Sequence, residues 1–499
     1  MRSGQMNEWD NLQKALGEIS ASETAEVHED GKWLASLEGF RSELQTRGKH
    51  TLIHLWSSEA SLVRRILRVS ICDPGRVQIE VEKFGAKRPG RLEFLAARHQ
   101  RSPARIGREQ FKERFERMLA EQFPDGQVKA LSTAADLKHS FSALYTRGIM
   151  TVGRSSWALI AAGPSENSAA CEGILSFGLL WLDWTRKSSH REPIAGLRIF
   201  LPEGQSQVVL ERARALSPNA GLEIYEFTRD EFRIQRVEMS GRGNVESWLV
   251  PRGEIEMTLA SAAELIHRVR ALFPDASGAI EVSVPAGTRD VSFRFRGLEF
   301  ARWSEGQLFL GVGDPHERAS GDFSRLMPVI RELATKRSAA NPDTKDPLYR
   351  AAPERWLETM VRSAPESLDA SLNPAFLYAQ VPALAAGERG IIDLLGVTRQ
   401  GWLVVIELKA SEDLHLPLQA ADYWLRVSRH LVEGDFQRFG YFQGVELKSE
   451  PPLLWLVAPG LRFHPANEVQ LQYFSPGIRF SRIGLNENWR SGLRVIFRQ

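Results

Sequence analysis

Asp393, Glu407 and Lys409 are the residues whose types and spacing point most directly to chemistry. Residues 391–397 form a β-branched, Leu-rich run, and residues 402–410 (WLVVIELKA) form a second. Between them, Thr398-Arg399-Gln400-Gly401 reads as a hairpin whose three-residue loop closes on Gly401 in the left-handed region. With Thr398 opposite Trp402, Asp393 falls opposite Glu407, where Cβ atoms are about 4.5–5.5 Å apart. Lys409, two residues on, shares that face. Two carboxylates this close repel, and burial raises the cost. A hard divalent cation resolves the conflict, because Mg²⁺ takes one or two carboxylates plus water and leaves room for a substrate phosphate. The run VVIELKA is apolar on both faces, so the strand is expected to be buried on both sides, where charges without a role are rare.

Helices must place the remaining groups. One, opened by Pro353 and running to residue 362, carries Glu354 and Glu358 on one face. A second, over residues 417–433, carries Gln419 and Tyr423 one turn apart. An apolar strand, LLWLVAP (453–459), follows.

Asp393, thirteen intervening residues, then Glu407-Leu408-Lys409 on a strand resemble the signature of the PD-(D/E)XK nuclease superfamily. Gln419 and Tyr423 are similar to the Q-x-x-x-Y element of its RecB-type branch. The residue before Asp393 is Ile392 rather than Pro. The resemblance covers residues 350–499. It implies a restriction-endonuclease-like αβββαβ core and metal-dependent hydrolysis of phosphodiester bonds in nucleic acid, with DNA the expected partner. It also implies Mg²⁺, replaceable by Mn²⁺, on Asp393 and Glu407, with Glu358 as an outer or second-metal carboxylate. Lys409 would position or help deprotonate the attacking water, and Gln419 and Tyr423 would orient Lys409 or the substrate backbone.

The chain repeats itself. Arg147–Ile149 and Arg389–Ile391 share the sequence RGI, and both precede helical stretches with Trp181-Leu182 or Trp424-Leu425. Apolar strands ending at Pro202 and Pro459 follow, then Ser217-Pro218 and Ser475-Pro476. Fainter matches lie upstream: LVRRILR at Leu62 with LIHRVRA at Leu265, IEV at Ile79 with Ile280, and LEF at Leu92 with Leu298. The fold class expected is therefore α/β with α+β mixed sheets in a multi-domain chain. It comprises a helix and β-meander module (1–130), a degenerate nuclease-like core (131–250, with 134–228 as the repeated part), a second meander module (251–335), a linker (336–349) and the nuclease-like domain (350–499). Aligned on RGI, Thr151 falls at Asp393. Aligned from Ser165 and Ser411, Ala161 falls at Glu407 and Gly163 at Lys409. The first core should therefore hold no metal, serving as scaffold, dimer-like partner or DNA platform.

Composition bounds the rest. The 499 residues are 43% hydrophobic and 25% charged, with net charge +2, which excludes a mainly disordered or fibrous chain. Of the 64 basic residues 51 are Arg, which suits phosphate recognition but also an ordinary coding bias. Between residues 61 and 117 stand 15 Lys/Arg against 7 Asp/Glu. Phe84, Phe94, Phe111 and Phe115 are interleaved there, which is either a phosphate-contacting surface or a charged helix face. His415 reads as a solvated loop residue. Cys72 and Cys171 cannot form a disulfide framework or a zinc cage, and no Walker-type loop is present. The N-terminus lacks a signal-peptide core, and no apolar run is long enough to span a bilayer, so a cytoplasmic, non-membrane protein is expected. The alternative is a non-catalytic nucleic-acid-binding or assembly protein on nuclease-like folds. A homo-oligomer or protein partner stays open.

Overall fold

The computed structural model describes residues 11–17, 19, 25–29, 32–36, 41–47, 50–56, 61–73, 76–82, 89–96, 103–136, 139–188, 193–228, 233–238, 247–273, 278–285, 287–313, 317–319, 325–382, 384–385 and 391–499. The chain is mixed α/β and forms two compact units, Met1–Phe111 and Lys112–Gln499.

The first unit is built on a seven-stranded antiparallel sheet, most of it a meander. Its apolar side chains alternate along the strands: Val77, Ile79 and Val81 face Leu92 and Phe94 in one buried cluster. The segment LVRRILR lies in the strand Ser61–Asp73, whereas LIHRVRA lies in the helix Ala263–Ala271. This corrects the upstream repeat match. An i, i+4 apolar pattern also suits a strand when partners flank it on both sides, and here they do. The IEV match fails as well, because Ile79 and Leu92 lie on adjacent strands while a further strand separates Ile280 from Leu298.

In the basic stretch, the described phenylalanines belong to the core. Phe94, Phe111 and Phe115 are buried, the last two as an i, i+4 stripe on the helix Pro103–Gln122, so they are not available to stack on bases. Phe84 lies outside the described residues. Arg64, Arg65 and Arg76 form cross-strand ion pairs with Glu29, Glu82 and Glu93.

In the second unit, two six-stranded sheets share one topology. The first, core A, contains β1 (Gly126–Ser132), β2 (Tyr145–Val152), β3 (Ser155–Ala162), α1 (Ser168–Ser188), β4 (Ile194–Pro202), α2 (Gln207–Ala213), β5 (Leu222–Phe227) and β6 (Ile234–Val237). Core B contains α3 (Pro353–Ser363), β7 (Leu372–Pro382), β8 (Ile391–Thr398), β9 (Leu403–Leu408), α4 (Leu416–Val432), β10 (Leu453–Pro459), α5 (Pro465–Leu471), β11 (Arg479–Leu485) and β12 (Val495–Arg498). In each sheet the first three strands are antiparallel, the next two add in parallel across helical crossovers, and the last returns antiparallel. Strand β1 belongs to this sheet, so core A starts before residue 131.

The cores meet reciprocally. Ser217 N–H donates to Tyr473 O and Ser475 N–H donates to Ala215 O, both at 2.8 Å, flanking an antiparallel bridge between Leu216 and Phe474. Ser217 and Ser475 each precede the proline after the second crossover helix, so equivalent residues contact each other. Likewise α1 packs on α5, and α4 packs on α2. One apolar cluster runs through both cores, from Ile160 and Leu175 to Leu395, Val405 and Leu456.

A five-stranded meander (Ile280 to Ala319) with its own core precedes core B. The expected linker is ordered: Asp346 caps the short helix Pro347–Arg350, and buried Arg337 donates to the carbonyls of Leu348, Ala351 and Arg296. Among the described residues, no helix is long and apolar enough to cross a membrane.

Candidate metal and phosphodiester site

The β8–β9 hairpin takes the register the sequence suggests. Thr398 N–H donates to Trp402 O at 2.8 Å, and Gly401 closes the loop at φ 87°. A side chain there would also strike the Glu446 carbonyl, 2.3 Å from an ideal Cβ, so Gly is required twice over. Leu394 pairs with Ile406, and the same register carried one residue further sets Asp393 opposite Glu407. Beyond that point the Asp393 carboxylate itself accepts the Leu408 N–H at 3.0 Å. Strand β9 is buried throughout: Val404, Ile406 and Leu408 pack on one face, while Leu403 and Val405 pack on the other. Glu407 lies on the second face, under α4, at 1% exposure.

Helix α4 starts with Pro417 in its first turn and presents Gln419 and Tyr423 toward Lys409. Lys409 Nζ lies 3.0 Å from Gln419 Oε1, 3.2 Å from Asp413 Oδ2 and 3.5 Å from Glu407 Oε1. Gln419 Nε2 in turn donates to the Tyr423 hydroxyl at 3.3 Å. Asp393, Glu407, Lys409, Gln419 and Tyr423 thus form one connected cluster.

Helix α3 brings Glu358 alongside by another route. Its buried carboxylate accepts from Arg355 at 3.0 Å and from Gln380, and Asp393 acts on it only as a nearby charge. Glu354 accepts the Ala410 N–H at 3.3 Å, tying α3 to the chain that carries Lys409.

Electrostatics make the site costly to ionise. Burial pushes the Glu407 carboxyl well above the usual carboxylate range, and Asp393 raises it further. Burial also raises Asp393, against the opposing Leu408 hydrogen bond. Glu358 is pushed up to about 7, again mainly by burial. Burial pulls Lys409 down, but Glu407, Asp413 and Asp393 outweigh it and hold the ammonium charged. Tyr423 rises to about 12 through burial and the Glu407 charge.

One atom stands out. Glu407 Oε2 is buried with no hydrogen-bond partner. A bare carboxylate oxygen beside a second carboxylate is a donor set that suits a hard divalent cation. Among the described residues no third His, Cys, Asp or Glu completes a tight trio here. The group whose ligand atoms all lie within 4.8 Å of one another is His430, Glu433 and Asp435. All three members already have partners: His430 pairs with Asp435 at 2.7 Å and Glu433 pairs with Arg429 at 2.9 Å.

Core A carries a different set at the same places. Ile160 pairs with Arg147 and with Ile199, three residues before Pro202; Glu407 pairs with Leu456, three residues before Pro459. Arg147, Ile160 and Ala162 therefore stand at the positions of Asp393, Glu407 and Lys409, not Thr151, Ala161 and Gly163. The RGI match is slipped by four residues: Ile149 lies mid-strand in β2, whereas Ile391 opens β8, and the β2–β3 turn is one residue shorter. Arg147 is buried, its guanidinium 4.6 Å from the Phe141 ring centroid, and burial lowers it to about 10.

Asp413 was not singled out from the sequence, because its contact depends on how the loop after β9 folds back. His415 is not a solvated residue. Its Nδ1 lies 2.9 Å from Ser176 Oγ in α1, and its ring packs on Phe177.

Comparison with known protein families finds no family model that matches the chain, and comparison with curated proteins finds no match.

Proposed function

We propose that the chain is a metal-dependent nuclease that hydrolyses phosphodiester bonds of DNA at a PD-(D/E)XK site, within a restriction-endonuclease-like core over residues 350–499. The observation that carries this reading is the bare, buried Glu407 oxygen beside Asp393, with the Lys409–Gln419–Tyr423 chain alongside. Asp393 and Glu407 would hold Mg²⁺ or Mn²⁺, which when bound supplies Lewis-acid charge and lowers the pKa of a bound water.

The protein's own groups do the positioning. Lys409 stays protonated among three carboxylates and so directs hydrogen bonds at a water or a phosphate oxygen rather than taking a proton. Gln419 fixes the ammonium at 3.0 Å, and Tyr423 fixes Gln419. Glu358, near neutrality in its charge balance, is the outer carboxylate. Core A is read as a degenerate copy that binds no cation, since Arg147 puts a positive charge where Asp393 stands.

The test is a cleavage panel of single- and double-stranded DNA and RNA with Mn²⁺, beside the Asp393→Ala protein. Metal-dependent cleavage that Asp393→Ala abolishes is expected. Cleavage that persists in Asp393→Ala with EDTA, or no cleavage of any substrate, contradicts the reading.

A further inference from the structure

Resting on the nuclease reading, we infer that the chain is an internal dimer that cuts one strand of duplex DNA per binding event, core A filling the place of a second catalytic subunit. The contact between the cores is of the self-complementary kind. Leu216 meets Phe474 at equivalent positions, and the Ser217–Tyr473 and Ser475–Ala215 hydrogen bonds repeat each other with the cores exchanged. The crossover helices follow the same rule, α1 on α5 and α4 on α2. That reciprocity is the signature of a two-fold interface, here within one chain.

A two-fold protein matches the two-fold relation between the strands of a duplex and presents the same groups to both. Here the groups differ. One half offers Asp393, Glu407 and Lys409, and the other offers Arg147, Ile160 and Ala162. Counted from the Trp-Leu pair in each helix, core A also has Ser176 and Leu180 where core B has Gln419 and Tyr423. Ser176 is turned to the interface, beside His415. Only the strand at core B meets a hydrolytic site. There a water oxygen bonds to phosphorus as the water releases one proton to solvent, one bridging P–O bond breaks, and the departing oxygen keeps the electron pair and takes a proton from solvent. The strand at core A meets no such set and stays whole.

Two measurements on the full chain test this. With Mn²⁺, supercoiled plasmid should pass completely into open circles before linear DNA appears. The Asp393→Ala protein, in sedimentation with a short blunt duplex, should bind as one chain per duplex. Linear product rising in parallel with open circles from the first time points, or two chains per duplex, overturns the inference and leaves the nuclease reading intact. Cleavage of single strands with plasmid untouched does the same. Plasmid and single strands both untouched overturn both.

Discussion

The Lys409 ammonium lies 3.5 Å from one oxygen of Glu407, while the other oxygen of that carboxylate is buried and accepts no hydrogen bond. A single Lys, shared with Asp413 and Gln419, does not balance both Glu407 and Asp393. Burial and the Asp393 charge both disfavour the ionised form of Glu407. Glu407→Gln should therefore leave the melting temperature of the metal-free protein unchanged or raised, while calorimetric Mn²⁺ binding is lost. A lowered melting temperature with Mn²⁺ binding retained would count against the site.

Glu358 gives a pH dependence. Its folded pKa, about 7, exceeds the ordinary value of 4.5, so the folded state binds this proton more tightly than the unfolded state does. Its contribution to stability is full below about pH 4.5, falls as pH rises toward 7, and levels off above that. The loss is on the order of 3–4 kcal/mol at most, at roughly 1.4 kcal/mol per pKa unit. Urea denaturation of metal-free protein at pH 5 and pH 8 should show this decline, and Glu358→Gln should flatten it.

Gln419 holds Lys409 through a 3.0 Å hydrogen bond to its ammonium. Outer groups of this kind typically contribute about 10–100-fold in activity or metal affinity. Gln419→Ala is expected to lower kcat by that order with an unchanged melting temperature. Tyr423→Phe should cost less, since it removes only the 3.3 Å contact to Gln419.

Gly401 is tested by Gly401→Ala. A left-handed backbone and a carbonyl 2.3 Å from the new Cβ should together destabilise the fold by about 1–3 kcal/mol, read as a lowered melting temperature.

Much of the candidate site was legible because it depends on local rules. The TRQG turn fixes the β8–β9 register, and that register decides which residue faces Glu407. Apolar residues on both faces of VVIEL marked a strand buried on both sides. The repeat was legible as an order of elements, and the two sheets share strand order and direction. Its residue-level alignment was not. RGI sits four residues out of register, which only the Arg147–Ile160 pairing reveals. LVRRILR could not be told from a helix, because partners on both sides, not its own pattern, make it a strand. Phe111 and Phe115 drew attention through the charges around them, yet they are a core stripe. His415 and Asp413 depend on contacts made by tertiary folding, which no spacing encodes.

Locating manganese tests the metal site most directly. In crystals soaked in Mn²⁺, the anomalous signal should lie between the carboxylates of Asp393 and Glu407, with no counterpart beside Arg147. A signal only at His430, Glu433 and Asp435, or none in the chain, would contradict a metal-dependent nuclease at Asp393 and Glu407.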